Sequence, residues 1–359
     1  MSTKIKVLNL GYGLGGYGGT ERTLFVYAKY LNKDRFDVRV HCIGASAGTN
    51  TGIYAEHDLP YSEGEDLTEA LRSFQPDIVH IHRGGWENSE HIEAIKAAGV
   101  PTLIETNVFG RPNPHPSTKL IDCHIFVSYF CLRRYHEWVG HPLVSDRYVT
   151  LYNPLDPVDF KDFSSARDVS FCVGRHSRDD DKKWHSWCYE MFPALRATLP
   201  QVRYRIAGAT PTVKSFFREH QLEENVDYLP LTHDRSTLMH YLENINVFAH
   251  GSAIGESFGI VIAEAMAAGL PVVTHPSRGS QDNAQTELVE HGVTGFVVNS
   301  AQEYAQAIAF LLSNPEEAQK LGDAAQKKAM NCYSASRLTP GLEELYEHFY
   351  RKGSAARAR

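Results

Sequence analysis

Seven residues separate Glu256 from Glu264 in "GSAIGESFGIVIAEAMAAGLPVVT", and nearly everything after Gly259 is apolar: Ile260, Val261, Ile262, Ala263, Ala265, Met266 and Ala267. A helix hydrophobic on every face is a buried helix. A carboxylate inside it costs on the order of several kcal/mol unless it is paired or hydrogen-bonded, so Glu264 requires a polar partner. If the helix starts near Ser257 or Phe258, Glu264 lies roughly 10 Å along it at about 1.5 Å per residue. The amides of Phe258 and Gly259 then suit a phosphate, and Glu264 accepts hydrogen bonds from hydroxyls further along. This is the outline of a nucleotide-sugar site.

A second candidate lies in "NLGYGLGGYGGTER", which holds G-x-G-x-x-G at Gly11, Gly13 and Gly16 and continues with Gly18 and Gly19. Nine residues separate Leu10 from Thr20 and six are glycine, too long a loop for the tight turn of a dinucleotide fingerprint. Such a fingerprint also expects an acidic residue about 20 positions on, at the end of the second strand. Here that strand ends "VHCIGAS", and Asp34 and Asp37 precede it. What the loop offers is a run of backbone N–H groups beside a helix N-terminus, an anion site. The alternative is a glycine-rich strand-to-helix turn.

The elements that must position these residues alternate. "IKVLNL", "FDVRVHCI", "DIVHIH", "PTLIET" and "CHIFVS" read as strands in the first half, with "TERTLFVYAKYL" (Thr20 as N-cap) and "NSEHIEAIKAAG" among the helices between them. Such alternation predicts parallel α/β sheets. It stops at "YNPLDPVDFKDFSSARD", then resumes with "VSFCVG", "RYRIAG", "VDYLPL", "INVFAHG", "PVVTH" and "TGFVV". The expected domains are 1–155 and 168–335. A closing amphipathic helix is expected over 336–352; the sequence names no partner for it, and a return onto the first domain is the candidate arrangement.

At 359 residues the chain exceeds what one core holds, about 250–300 residues. Charged residues are 22% and hydrophobic ones 42%, ordinary for a soluble globular protein. The net charge of −7 gives no bulk support to nucleic-acid binding. Six cysteines without ligand spacing read as buried thiols of a reducing compartment. No signal peptide or membrane span is legible, and the expected location is cytoplasmic; Arg133 and Arg134 point faintly to peripheral contact with a membrane surface.

"ESFGIVIAE" followed by "AMAAGLPVV" resembles the E-x₇-E element of retaining glycosyltransferase family 4, the glycosyl transferases group 1. "GGTE", "PDIVHIH", "LYNPLD", "VGR" and "HGVTGFVV" follow the family order, so the likeness covers residues 4–350. It implies the α/β GT-B fold, two facing Rossmann-like domains with a central cleft. It further implies transfer of a hexosyl unit, with retention, from a nucleotide-diphosphate sugar to a saccharide or lipid-linked saccharide acceptor, as in polysaccharide biosynthesis. No metal or other cofactor is expected. By the same resemblance Glu256 touches the hydroxyls of the donor sugar, Glu264 the ribose, and the amides of Phe258 and Gly259 the sugar and distal phosphate. The two cations on the diphosphate fall on Arg175 and on Lys183, with Lys182 the alternative. Gly18 and Gly19 bring amides to the phosphates from the other domain.

Two departures stand out. "IETNVFG" puts Asn107 where many members have a sugar-facing histidine, and "SRGSQDNAQTELV" replaces the usual glycine pair and glutamate. His80 and His82 alternate on one strand but lack a third ligand, so they line the acceptor cleft or pack at the strand end rather than bind metal. Asp179, Asp180 and Asp181 read as a solvated loop ahead of Lys183. Trp184, Trp187, Phe192 and Leu195 read as core. Gly251 and Gly255 suit close backbone approach to the donor, or turn geometry alone. Alternatives to the transferase are a GT-B sugar-nucleotide epimerase, a non-catalytic partner subunit that binds nucleotide sugar, and, weakest, an NAD dehydrogenase.

Overall fold

The structure is a computed structural model that describes residues 4–13, 18–44, 51–64, 66–86, 89–140, 145–168, 170–232 and 234–357. The chain divides into two compact units, Met1–Pro154 with Ser334–Arg359, and Leu155–Tyr333.

The first unit carries β1 (Ile5–Gly11), β2 (Phe36–Ile43), β3 (Tyr61–Gly64), β4 (Ile78–Arg83), β5 (Thr102–Asn107), β6 (Cys123–Phe126) and β7 (Tyr148–Thr150). They form one parallel sheet in the order β3-β2-β1-β4-β5-β6-β7. Side chains alternate between two cores. Val7 of β1 and Ile78 of β4 join Val38, Ile104 and Phe25, whereas Leu8, Leu10, Val79 and Ile81 join Leu71, Ile92 and Ile95 on the other face. Both faces being covered, the strands read as nearly continuous apolar runs. The five strands expected in this half are present. The added β3 and β7 are short edge strands, and the exposed, polar β3 in particular offers no apolar run to read.

The second unit carries β8 (Cys172–His176), β9 (Arg203–Ala207), β10 (Val226–Leu229), β11 (Val247–Ala249), β12 (Val272–Thr274) and β13 (Gly295–Val297), the six strands expected. Their order is β10-β9-β8-β11-β12-β13, again all parallel. In this topology the strand order reverses between β1 and β4, and between β8 and β11, and ligands bind at the carboxyl ends of strands at such a point.

The proline-rich segment after Tyr152 is not a bare linker. Arg167 donates to the carbonyls of Leu242, Glu243 and Ala268, Ser165 bonds Asp323, and Phe160 is buried, so residues 156–167 belong to the second unit. The closing helix, Ala335–Arg357, lies in the first unit. Leu342, Tyr346 and Phe349 enter the core beneath β1 and β2, Glu343 pairs with Arg35 at 2.7 Å, and the Tyr346 hydroxyl meets His80 Nδ1 at 2.6 Å. Thr20 does not cap the first helix, which runs Gly19–Tyr30 with Gly18 as N-cap. Five cysteines are buried and free as expected, but Cys332 is exposed. Among the described residues no helix is long and apolar enough to cross a membrane.

Candidate functional site

The carboxyl ends of β8 and β11 are neighbours in the second sheet, and the E-x₇-E residues gather beside them. Arg175, next to last in β8, is 1% exposed. Its guanidinium donates to the carbonyls of Gly251 at 2.7 Å, Ala249 at 3.3 Å and Lys183, and it lies over the Trp184 ring at 4.2 Å. One planar fork thus ties the end of β11 to the segment that carries Lys183. That segment is a single 3-10 turn, Asp181–Lys183, which Asp180 caps by accepting the Lys182 N–H at 3.0 Å. The acidic triplet is therefore partly structural, since Asp180 forms the turn that delivers Lys183. Ile254 N–H to the Lys182 carbonyl and His185 N–H to the Gly251 carbonyl zip this segment to the loop after β11.

At the end of the zipped loops the Lys183 ammonium sits 3.0 Å and 2.9 Å from the two oxygens of Glu256. Both side chains are largely covered, 18% and 15% exposed. The Glu256 backbone is fixed from below: Gln285, fully buried, accepts its N–H at 3.1 Å, and Ala284 N–H bonds its carbonyl at 2.8 Å. Gly255 makes this approach possible. It sits at φ 72°, and a Cβ there would fall 1.6 Å from the Asp282 carbonyl oxygen. Gly251 is likewise closed in, by Cys188 Sγ. The two glycines serve close packing inside the unit.

His250, just past β11, places Nε2 3.5 Å from Glu256 and Nδ1 2.8 Å from the Thr274 hydroxyl. Burial lowers its pKa despite Glu256, so the ring is neutral at pH 7. Burial alone would raise the Glu256 carboxyl, but Lys183 and His250 outweigh it and hold it at about 2. The carboxylate therefore stays ionised at neutral pH.

Glu264 has the polar partner its apolar helix requires. Arg235 donates to Glu264 at 2.6 Å and to Asp159 at 2.6 Å and 2.9 Å, and His176 Nε2 lies 3.7 Å away. Burial pulls the Arg235 pKa down, but Glu264 and Asp159 keep it above the usual value. Burial holds His176 neutral, down at about 4. Sequence reasoning missed Arg235, His176 and His250. One signal was legible: Arg235 opens the helix Arg235–Glu243, where the macrodipole disfavours a cation, so a carboxylate must compensate it.

Several expected positions differ in detail. The E-x₇-E helix begins at Ile260, with Gly259 at φ 94° ahead of it, so Glu264 lies about 6 Å along it rather than 10 Å. Its first-turn amides, without intrahelical partners, are those of Ile260 and Val261. Phe258 is buried edge-on against Tyr333 at 5.4 Å. Arg175, expected on a diphosphate, is instead engaged with carbonyls and buried; it positions Lys183. Trp184, Phe192 and Leu195 are core, with Trp187 packed against it.

In the first unit, Gly18 and Gly19 open the first helix, while Gly16 lies outside the described residues. A Cβ on Gly18 or Gly13 would meet the Glu21 carboxylate, at 1.9 Å and 3.0 Å, so the protein's own anion lies over this helix start. His82 and Asn107, expected to face acceptor or sugar, are 2% and 1% exposed. His82 stacks on His80 at 4.3 Å, and both nitrogens of His80 are engaged, with Tyr346 and with Thr106 at 2.8 Å. Asn107 spends both ends of its amide on the backbone of Arg111. Neither side chain reaches the surface; the Arg111 backbone satisfies Asn107, while His82 Nδ1 is buried without a hydrogen-bond partner.

Two all-parallel sheets with this strand order define the GT-B fold, and the solved structures similar to the chain share it. HepE of Anabaena, solved in complex with UDP and glucose, is 21% identical with TM-score 0.75, covering 96% of this chain and 100% of that one. A glycosyltransferase of Rickettsia africae is 18% identical with TM-score 0.79, covering 97% and 99%. A curated relative, an uncharacterized glycosyltransferase of Haemophilus influenzae, is 24% identical over 342 residues, 84% of this chain and 89% of the relative. The chain shares the GT-B fold of these structures. Its residues 161–328 match the family of glycosyl transferases group 1, and that segment includes Arg175, Lys183, Glu256 and Glu264.

Proposed function

We propose that this chain is a retaining glycosyltransferase of family 4 that moves a hexosyl unit from a nucleotide-diphosphate sugar to a saccharide or lipid-linked saccharide acceptor. The observation that carries this reading is the Lys183–Glu256 pair, an ammonium beside a carboxylate that stays ionised, at the end of β11. Lys183 turns from Glu256 to the diphosphate as it binds, and Glu256 then accepts from hydroxyls of the transferred sugar. Phosphate also meets the amides at Gly259–Val261, and ribose hydroxyls bond the Glu264 carboxylate, which Arg235 holds in place.

Breaking the bond from the anomeric carbon to the diphosphate oxygen leaves negative charge on the departing group. A fixed cation and fixed amides stabilise that charge where it develops, and removing one such group typically costs about 3–4 kcal/mol of barrier. The acceptor oxygen attacks on the face the diphosphate leaves, and its proton passes to a departing phosphate oxygen. Configuration is then kept without a protein nucleophile. Relatives solved with UDP and with UDP-glucose make uridine diphosphate sugars the first donors to test.

The test is a thermal-shift screen of UDP-, GDP-, dTDP- and ADP-sugars, followed by assay of donor turnover with the sugar that stabilises most. A bound ligand raises the melting temperature by mass action. One class should do so, with release of nucleoside diphosphate; no shift with any of the four would sink the reading.

A further inference from the structure

We propose that Trp86, Phe109 and Arg111 form a platform that binds an anionic saccharide, a pyranose carrying a carboxylate or a phosphate, and that Asn107 positions it. The platform lies just beyond the carboxyl ends of β4 and β5, the edge of a parallel sheet at which ligands bind. Trp86 is 44% exposed, a large aromatic left at the surface. Its ring lies 5.5 Å from that of Phe109 at 33°, and the Arg111 guanidinium stands 5.0 Å from the first and 5.7 Å from the second.

The Arg111 guanidinium makes no hydrogen bond or ion pair among the described residues, and its Nε is shut off from solvent without a partner. Arg196 shares this state, whereas Arg134, Arg147, Arg167 and Arg175 lack a partner at Nε but bond carbonyls through their other nitrogens, and Arg83 and Arg235 pair with carboxylates. A buried donor left unmade is expensive, so its retention calls for an explanation. A planar cation with open donors matches the paired oxygens of a carboxylate or phosphate. The aromatic faces beside it supply apolar surface for the C–H face of a sugar ring.

The platform is also built rather than incidental. Asn107 Nδ2 donates to the Arg111 carbonyl at 2.9 Å while its Oδ1 accepts the Arg111 N–H at 3.1 Å, closing the turn that carries Phe109. The Phe109 carbonyl accepts from Arg134, and Val108 N–H bonds the Arg83 carbonyl at 2.9 Å. Gly85 passes against this clamp at φ 111°; a Cβ there would lie 2.3 Å from the Arg111 oxygen and 2.5 Å from Asn107 Nδ2. Trp86 is thereby set beside the turn. Histidine at position 107 could not offer an adjacent donor and acceptor to one residue's N–H and C=O. The asparagine found where the resemblance leads one to expect histidine thus holds the turn.

That this saccharide is the acceptor rests on the transferase reading above; that it binds here does not. The full chain is titrated, by calorimetry, with a hyaluronan tetrasaccharide (carboxylate), mannose 6-phosphate (phosphate) and cellobiose (neutral), with UDP binding measured alongside. One of the two anionic probes should bind at least about tenfold more tightly than cellobiose, and which one does identifies the anion. Trp86→Ala should weaken it about tenfold or more, Arg111→Gln should erase the preference for the anion, and Asn107→Asp, which keeps the acceptor and loses the donor, should weaken it as well, each with UDP affinity unchanged. If neither anionic probe outbinds cellobiose, or if Arg111→Gln leaves the preference intact, the platform is refuted. Failure of the wild-type chain to bind any nucleotide would instead refute the transferase reading and leave the platform standing.

Discussion

Arg235 lies 2.6 Å from Glu264 although its own helix is otherwise remote from the E-x₇-E segment, and Asp159 from the inter-domain segment takes its other edge. One guanidinium thus pairs with carboxylates from two separate parts of the chain. Arg235→Ala takes the guanidinium away from buried Glu264, and unfolding in urea should show a loss of about 3 kcal/mol. Adding Glu264→Gln should restore part of it, because the uncompensated charge is gone. Additive losses in the double variant would mean the two side chains do not interact.

Arg175→Lys should not be conservative. A lysine cannot reach the carbonyls of Lys183, Gly251 and Ala249 together as the guanidinium does. With the Lys183 turn loosened by about 1 Å, kcat should fall about 100-fold while the circular dichroism spectrum is retained. Activity within a factor of two of wild type would show that the fork does not position Lys183.

Acid should destabilise the protein through its buried histidines. Burial depresses the histidines His82 and His275 to about 3 and His176 to about 4, from 6.5 in the unfolded chain. A group whose folded pKa is lowered stabilises the fold fully above its unfolded value and loses that contribution as pH falls. The melting temperature should therefore be flat above about pH 7.5 and decline from pH 6.5 toward 4, each histidine adding a slope of up to about 1.4 kcal/mol per pH unit. Glu256, held at about 2, stays charged across that window. A melting temperature unchanged between pH 7 and pH 5 would contradict the burial of these rings.

Thiol reactivity gives a simple check on the cores. Cys332 is exposed and the other five cysteines are buried, with burial raising Cys172 to about 11 and raising Cys188 and Cys123 as well. A disulfide reagent should modify one thiol in the native protein and six after denaturation. Rapid modification of two or more would mean that one of the sheets is open.

The sheets were legible because their strands are apolar on both faces, and the E-x₇-E helix because one glutamate interrupts an otherwise hydrophobic run. The turn that brings Lys183 to Glu256 was partly legible, through the residue types but not through the Asp180 cap. His176 and His250 were not, and Arg235 only through its place at a helix start, since their meeting depends on the order β10-β9-β8-β11, which no local periodicity encodes. Asn107 and His82 show the opposite limit. Polar residues on a strand suggest a ligand until the structure supplies, for Asn107, the Arg111 backbone and, for His82, the packing on His80.

The central claim is that Lys183 and Glu256 act on a nucleotide sugar, and single-turnover transfer with Glu256→Gln and Lys183→Ala tests it most directly. Each variant should lose at least about 100-fold in the chemical step, equivalent to roughly 3 kcal/mol, while keeping the wild-type circular dichroism spectrum. A folded Glu256→Gln or Lys183→Ala protein that turns over the nucleotide sugar at the wild-type rate would contradict the account.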